Sequence, residues 1–176
     1  MKKPNVKRLV LTAMLIALEI VFTRFLSIQT PIIRISFGFL PIAIIAVLYG
    51  SVYAGIGAAI ADLIGVTLFP TGAFFPGFTL TAFLTGVTYG VFLYNRSKNL
   101  VNICAAALIV TMVLQLGLDT LWVQILTGKG YIALLPARII KSLIMAPVQV
   151  ICIRMAVSER FNFMLGGRSV YEHAVD

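Results

Sequence analysis

Six apolar tracts, at residues 7–26, 37–50, 52–69, 76–95, 100–126 and 132–157, take up most of the chain and leave only short polar junctions between them. A helix needs roughly 20 mainly apolar residues to cross about 30 Å of hydrocarbon. A water-soluble domain of this length has no interior large enough to hide six such helices. The chain therefore reads as an all-α integral membrane protein, a bundle of about six transmembrane helices forming one domain over residues 1–176. Composition agrees, with 60% hydrophobic and 11% charged residues, against about 25% charged in ordinary globular domains. The second tract is short. Either it is tilted in a locally thin region, or residues before Phe37 also lie within the membrane as a re-entrant segment packed against protein.

The net charge of +8 is distributed as membrane topology requires rather than as a stripe that follows phosphates, so no nucleic-acid partner is expected. Lys2, Lys3, Lys7 and Arg8 precede the first tract, Arg96 and Lys98 lie between the fourth and fifth, and Arg154, Arg160 and Arg168 close the last. With an even number of spans all three clusters share one side, which the positive-inside rule makes cytoplasmic. Both termini are then cytoplasmic in a multi-pass cell-membrane protein, and the loops at 27–36, 70–75 and 127–131 face outward. The first segment is too long for a removable signal peptide and has no small-residue cleavage pattern.

Catalytic equipment is missing. Cys104 and Cys152 lie on separate tracts and read as small hydrophobes, and the single histidine, His173, sits in the polar tail. No zinc pattern or cofactor motif is present, and Gly128-Lys129 lacks the upstream glycine of a phosphate-binding loop. If ATP drives this protein, another subunit hydrolyses it.

An ionisable side chain at the centre of a span costs about 2.5 to 3.5 kcal/mol on insertion scales, so each one is a functional candidate with a partner to be named. The set is Glu19, Arg24, Asp62, Asp119, Arg138 and Lys141. All except Glu19, which lies deeper and reads as structural or partner-facing, fall in the outer half, and Arg34 in the first outer loop joins them. Arg138 and Lys141 are three apart and project from one helix face, a two-cation surface suited to a carboxylate-bearing solute. Pairing with Asp62 and Asp119 would explain any single cation, but the four cations outnumber the two acids. An anion would offset the excess.

Aromatic residues gather at the same depth: Phe37 and Phe39 beside the first outer loop, Phe69, Phe74, Phe75 and Phe78 around the second, and Trp122 near the end of the fifth tract. An interface belt suffices for Trp122 alone. Phenylalanines beside Pro70, Gly72, Pro76 and Gly77 also suit the stacking of a flat heterocycle, which contributes on the order of 1 to 3 kcal/mol per ring. That junction reads either as a tight outer turn or as a short lid. Ala13 and Ala17 on the first tract, and Ala82, Gly86 and Gly90 on the fourth, have the small-residue spacing that lets helix backbones approach closely.

Taken together, the size, the six-tract layout, Ala13-Met-Leu-Ile-Ala17, the segment from Arg34 to Pro41, Tyr49-Gly-Ser-Val-Tyr-Ala-Gly55, and Ala61-Asp-Leu-Ile-Gly65 leading to Leu68-Phe-Pro-Thr-Gly72 resemble the substrate-binding S components of energy-coupling factor vitamin transporters, and among them the folate-specific branch. The resemblance covers nearly the whole chain. It implies a non-catalytic membrane subunit that captures its vitamin on the outer side beneath the loop between the first two helices. It also implies a transmembrane coupling protein and two cytoplasmic ATPases as partners, with Ala13 and Ala17 as contacts to the coupling protein. Folate suits the candidate residues. Its pterin would stack on aromatics drawn from Phe37, Phe69, Phe74, Phe78 and Trp122 and pair with Asp62 or Asp119, while its glutamate tail would reach some of Arg24, Arg34, Arg138 and Lys141. Riboflavin and thiamine are the alternative vitamins, and cationic thiamine fits the excess of cations poorly. An autonomous secondary transporter is the alternative in a different class; it calls for inverted repeats, and the two halves show no convincing one.

Overall fold

The computed structural model describes residues 6–29, 34–70, 74–95, 99–128 and 130–157, with Gln29 and Arg34 described in their backbone only. Lys2, Lys3, Arg96, Lys98, Arg160, Arg168, His173 and Gly72 lie outside the described residues. The helices follow the apolar tracts: α1 (Val6–Arg24), α2 (Phe39–Tyr49), α3 (Ser51–Leu68), α4 (Pro76–Leu93), α5 (Leu100–Thr127) and α6 (Tyr131–Val157). Four of them, α3 to α6, are long and apolar enough to cross a membrane. The first helix carries Lys7, Arg8, Glu19 and Arg24 within its 19 residues, which lowers its apolar character without shortening it.

The short second tract has a structural answer. At 1.5 Å per residue the 11 residues of α2 span only about 16 Å, roughly half the hydrocarbon thickness. Before them the chain forms an antiparallel hairpin of β1 (Ser27–Gln29) and β2 (Arg34–Ser36), with Ser27 opposite Ser36 and Ile28 opposite Ile35. These strands are the departure from a purely helical reading. A pair of strands satisfies its own inner backbone groups, which is the condition for non-helical chain to lie at membrane depth against protein.

The connection from α2 to α3 is a single residue. Gly50 adopts φ +88°, a conformation that a side chain would oppose, and the Tyr94 ring lies against it. The closest helix pair is α3 with α4. Gly86 of α4 faces the backbone of Ala54 and Gly55, and Gly90 faces Ser51, so any side chain at either glycine would collide with α3. That contact is the small-residue approach expected of membrane helices, where close van der Waals packing replaces the hydrophobic drive available in water. The buried centre contains Ile42, Ile45, Ala54, Tyr89, Leu93, Ile103, Val110 and Ile153. Outward faces carry exposed apolar residues, among them Val52, Ile56, Val101, Ile132, Leu143 and Met155, as a lipid-facing surface requires.

Two helices depart from regularity. The middle of α5, Ile109–Leu118, winds as a π-helix, a form rare in proteins and frequent at functional sites. The last helix contains Pro136 and Pro147, each of which removes one hydrogen bond from the helical ladder. The π segment supplies Gln115 to a cavity, and the last helix supplies Met145 and Gln149, on either side of Pro147, to the same one.

Candidate functional site

The cavity, about 160 Å³, is lined by Thr23 of α1, Ser36 of β2, Phe39 of α2, Gln115 and Asp119 of α5, and Lys141, Met145 and Gln149 of α6. The hairpin and the start of α2 thus form one wall. Residues 141, 145 and 149 repeat every four positions and share one face of α6. By the helical rise, Lys141 and Gln149 lie about 12 Å apart along it. Asp119 and Lys141 interact electrostatically, as do Asp119 and Arg138, so the cavity is charged toward Lys141. Toward Gln149 it is neutral and polar.

Arg138 is 8% exposed. Its Nη1 donates to the backbone oxygen of Gln115 at 3.4 Å and to Thr120 Oγ1 at 3.2 Å. It therefore holds the π segment from behind, and it does not line the cavity. Thr81 completes this cluster: its hydroxyl accepts from Trp122 Nε1 at 3.0 Å and also bonds to Asp119. Gly77 makes room for the Trp122 indole, which a side chain at that position would strike.

Asp62 belongs to a different cluster. Its Oδ1 lies 3.8 Å from Arg24 Nη2, its Oδ2 accepts from Thr79 Oγ1 at 2.8 Å, and Arg24 Nη1 donates to the Phe69 carbonyl at 3.4 Å. This group joins α1, α3 and α4 and does not line the cavity. Between the two acids left open by the sequence, the geometry places Asp119 at the cavity and Asp62 in an interhelical ion pair.

The aromatic candidates divide in the same way. Phe25 meets Phe69 edge-on at 5.0 Å, while Phe75 bridges Trp122 at 5.4 Å and Phe78 at 6.4 Å. Phe74 is exposed, and Phe37 is 46% exposed beside Phe39, 6.3 Å away. Of all these rings only Phe39 lines the cavity. Arg34 lies on β2, adjoining the wall, but its side chain is outside the described residues. Ala13 and Ala17 are exposed on α1, which buries none of its residues.

Sequence reasoning missed Gln115, Gln149, Tyr89 and Thr81. The signal was present as neutral amides inside apolar tracts: Gln149 is completely buried, and its Oε1 accepts from the equally buried Tyr89 hydroxyl at 3.1 Å.

The family model for the ECF transporter, substrate-specific component, matches residues 7–157. A folate transporter FolT from Clostridium novyi (strain NT) is 50% identical over 153 residues, covering 87% of this chain and 88% of the relative. One from Leuconostoc mesenteroides subsp. mesenteroides is 34% identical over 154 residues, covering 84% and 83%. Among solved structures, a crystal structure of FolT bound with folic acid superimposes with a TM-score of 0.78 at 40% identity, covering 82% of this chain and 88% of that one. With a family match across the whole helical region, relatives matched over most of their length and a shared fold, the chain belongs to the substrate-specific components of energy-coupling factor transporters.

Proposed function

We propose that this chain captures folate at an outward-facing site and delivers it for ATP-driven uptake with a transmembrane coupling protein and two cytoplasmic ATPases. The observation that carries the reading is the likeness, across most of the chain, to folate transporters and to a folic-acid-bound structure. The cavity supports it with a cation at Lys141 for a carboxylate, an acceptor at Asp119 for a ligand N–H, and the Phe39 ring for a flat group. Both termini are cytoplasmic in this reading, residues 1–176 form one transmembrane domain of the cell membrane, and the segment 27–39 is the gate. Pockets that enclose drug-sized ligands run from about 300 to 1,000 Å³, so at about 160 Å³ the cavity must open along the hairpin side to admit folate. Arg34, carried on that hairpin, supplies a further cation for the glutamate tail. The exposed Ala13 and Ala17 face of α1 meets the coupling protein.

Calorimetry on the purified chain in detergent tests the capture step. Saturable folate binding is expected, and a folded sample that binds none rejects the reading. Ala13→Phe separates capture from delivery: binding remains intact while uptake by vesicles containing the complete transporter falls several-fold. Loss of binding instead would place Ala13 in the folded core.

A further inference from the structure

The mechanism above uses the charged end of the cavity and leaves its neutral end without a role. There Gln149 is 0% exposed, and its Nε2 has no hydrogen-bond partner among the described residues, while its Oε1 is held by Tyr89 at 3.1 Å. Gln115 Oε1, also buried at the cavity wall, is likewise without a partner. A buried polar group left unsatisfied carries a substantial desolvation penalty, and such groups are rare in native proteins. Two of them lining one cavity, one a donor and one an acceptor, form a recognition surface whose partner must offer the complementary pair.

We infer that Gln149 and Gln115 bind a cyclic amide edge, with Gln149 Nε2 donating to a ring carbonyl and Gln115 Oε1 accepting from the adjacent ring N–H. Tyr89 is the positioning residue. By bonding Gln149 Oε1 it turns the amide so that Nε2 is the group presented to the cavity. The inference rests on the folate reading and adds an orientation to it. The 2-amino-4-oxo edge of the pterin lies at the Gln149 end, and the glutamate tail runs toward Lys141, about 12 Å away along α6. A ligand touching both ends has to be longer than a single bicyclic ring, as folate is and pterin is not. A cationic aminopyrimidine without a ring carbonyl offers the amide pair no acceptor.

Three variants test this in detergent, with wild-type protein measured alongside. Gln149→Glu keeps the side-chain shape and the acceptor for Tyr89 but replaces the donor with a carboxylate oxygen. The double variant Tyr89→Phe/Gln149→Leu removes both partners of the internal bond, so neither is stranded and the fold is retained. Both should bind folate on the order of tenfold to a hundredfold more weakly, and pterin, measured by displacement of folate, should weaken by the same factor. Tyr89→Phe alone should give a smaller loss, again equal for both ligands, because the amide remains but is free to rotate. Wild-type folate affinity in either Gln149 variant, at an unchanged melting temperature, overturns the inference. So does weaker folate binding with pterin untouched, which would put the amide beside the tail. Failure of the wild type to bind folate would instead reject the function proposed for the cavity as a whole.

Discussion

Two acid–cation clusters flank α4, and this helix supplies one threonine to each. Thr79 donates to Asp62, which faces Arg24, and Thr81 bonds to Asp119, which faces Arg138 and Lys141. Positions two apart on a helix point roughly 200° away from each other, so α4 serves both clusters from opposite sides. Their chemical inventories are nearly the same, yet Asp119 and Lys141 line the cavity described above, and Arg24, Asp62 and Thr79 do not. The Arg24 and Asp62 side chains are 4% and 16% exposed and close on one another, on Thr79 and on the Phe69 carbonyl. Charge inside a membrane domain therefore identifies a short list of candidates, and the open space beside each one decides between structure and binding.

If that division is right, damage to the two clusters should appear in different measurements. The largest effect is expected from Asp62→Ala, which takes one carboxylate from a buried guanidinium and leaves it Glu19 as its other acidic neighbour. Breaking one side of a buried pair costs about 3 to 5 kcal/mol. The variant should melt well below the wild type while the folded fraction binds folate within about threefold, a change under the roughly 1.4 kcal/mol that separates tenfold steps. Replacing every member, as Glu19→Gln/Arg24→Met/Asp62→Leu, should recover most of the lost stability, because Glu19 also faces Arg24 and an apolar or neutral group of similar volume is often no worse than a buried ion pair. An Asp62→Ala protein with a normal melting temperature and folate binding weakened more than tenfold would break the comparison.

Lys141→Ala probes the other side. A hydrogen bond to a charged group is worth about 1.5 to 3 kcal/mol, so folate should bind roughly tenfold to a hundredfold more weakly. Pterin, which lacks the tail, should keep its affinity. Equal losses for the two ligands would move Lys141 to the heterocycle and reverse the proposed orientation. Arg138 is unsuited to the same test, since its contacts with Gln115 and Thr120 make it a brace of the π segment.

Most of the helical architecture was legible in the sequence because apolar length is a local property. Each helix begins and ends within a few residues of its tract, and the shortness of α2 left two readings, a tilted helix or a re-entrant segment before Phe37. The hairpin was less visible, since three-residue strands at 27–29 and 34–36 leave too little alternation to read. The π winding of Ile109–Leu118 was not visible at all. Nothing in Ile-Val-Thr-Met-Val-Leu-Gln-Leu-Gly-Leu requires it, and the bond from Arg138 to the Gln115 carbonyl comes from a residue 23 positions away. At the site, ionisable residues stood out by their insertion cost, whereas Gln115 and Gln149 were passed over because neutral amides are cheaper to bury. Phe75 and Trp122 carry the same aromatic signature as a stacking site but pack against one another, tilted, at 5.4 Å. A ring and its occupant cannot be told apart from two rings in contact until distances are known.

The smallest expected effect is also the most discriminating, because it uses two like substitutions on one helix. Thr79→Val and Thr81→Val each replace a hydroxyl with a methyl of nearly the same shape; the first removes one side-chain hydrogen bond and the second more than one, each worth about 1 kcal/mol in net terms. Thr79→Val withdraws the 2.8 Å bond to Asp62, so it should lower the melting temperature and leave folate affinity within error. Thr81→Val removes the acceptor of Trp122 and a partner of Asp119. Its share of the loss falls on the acid that lines the cavity, and folate binding should weaken about threefold to tenfold. The contrast is read as a ratio, affinity change against stability change, so it survives a common shift in both variants from the β-branched replacement itself. If the two ratios coincide, Asp119 is a structural anchor like Asp62, and the ligand is held by Lys141 and the amides alone.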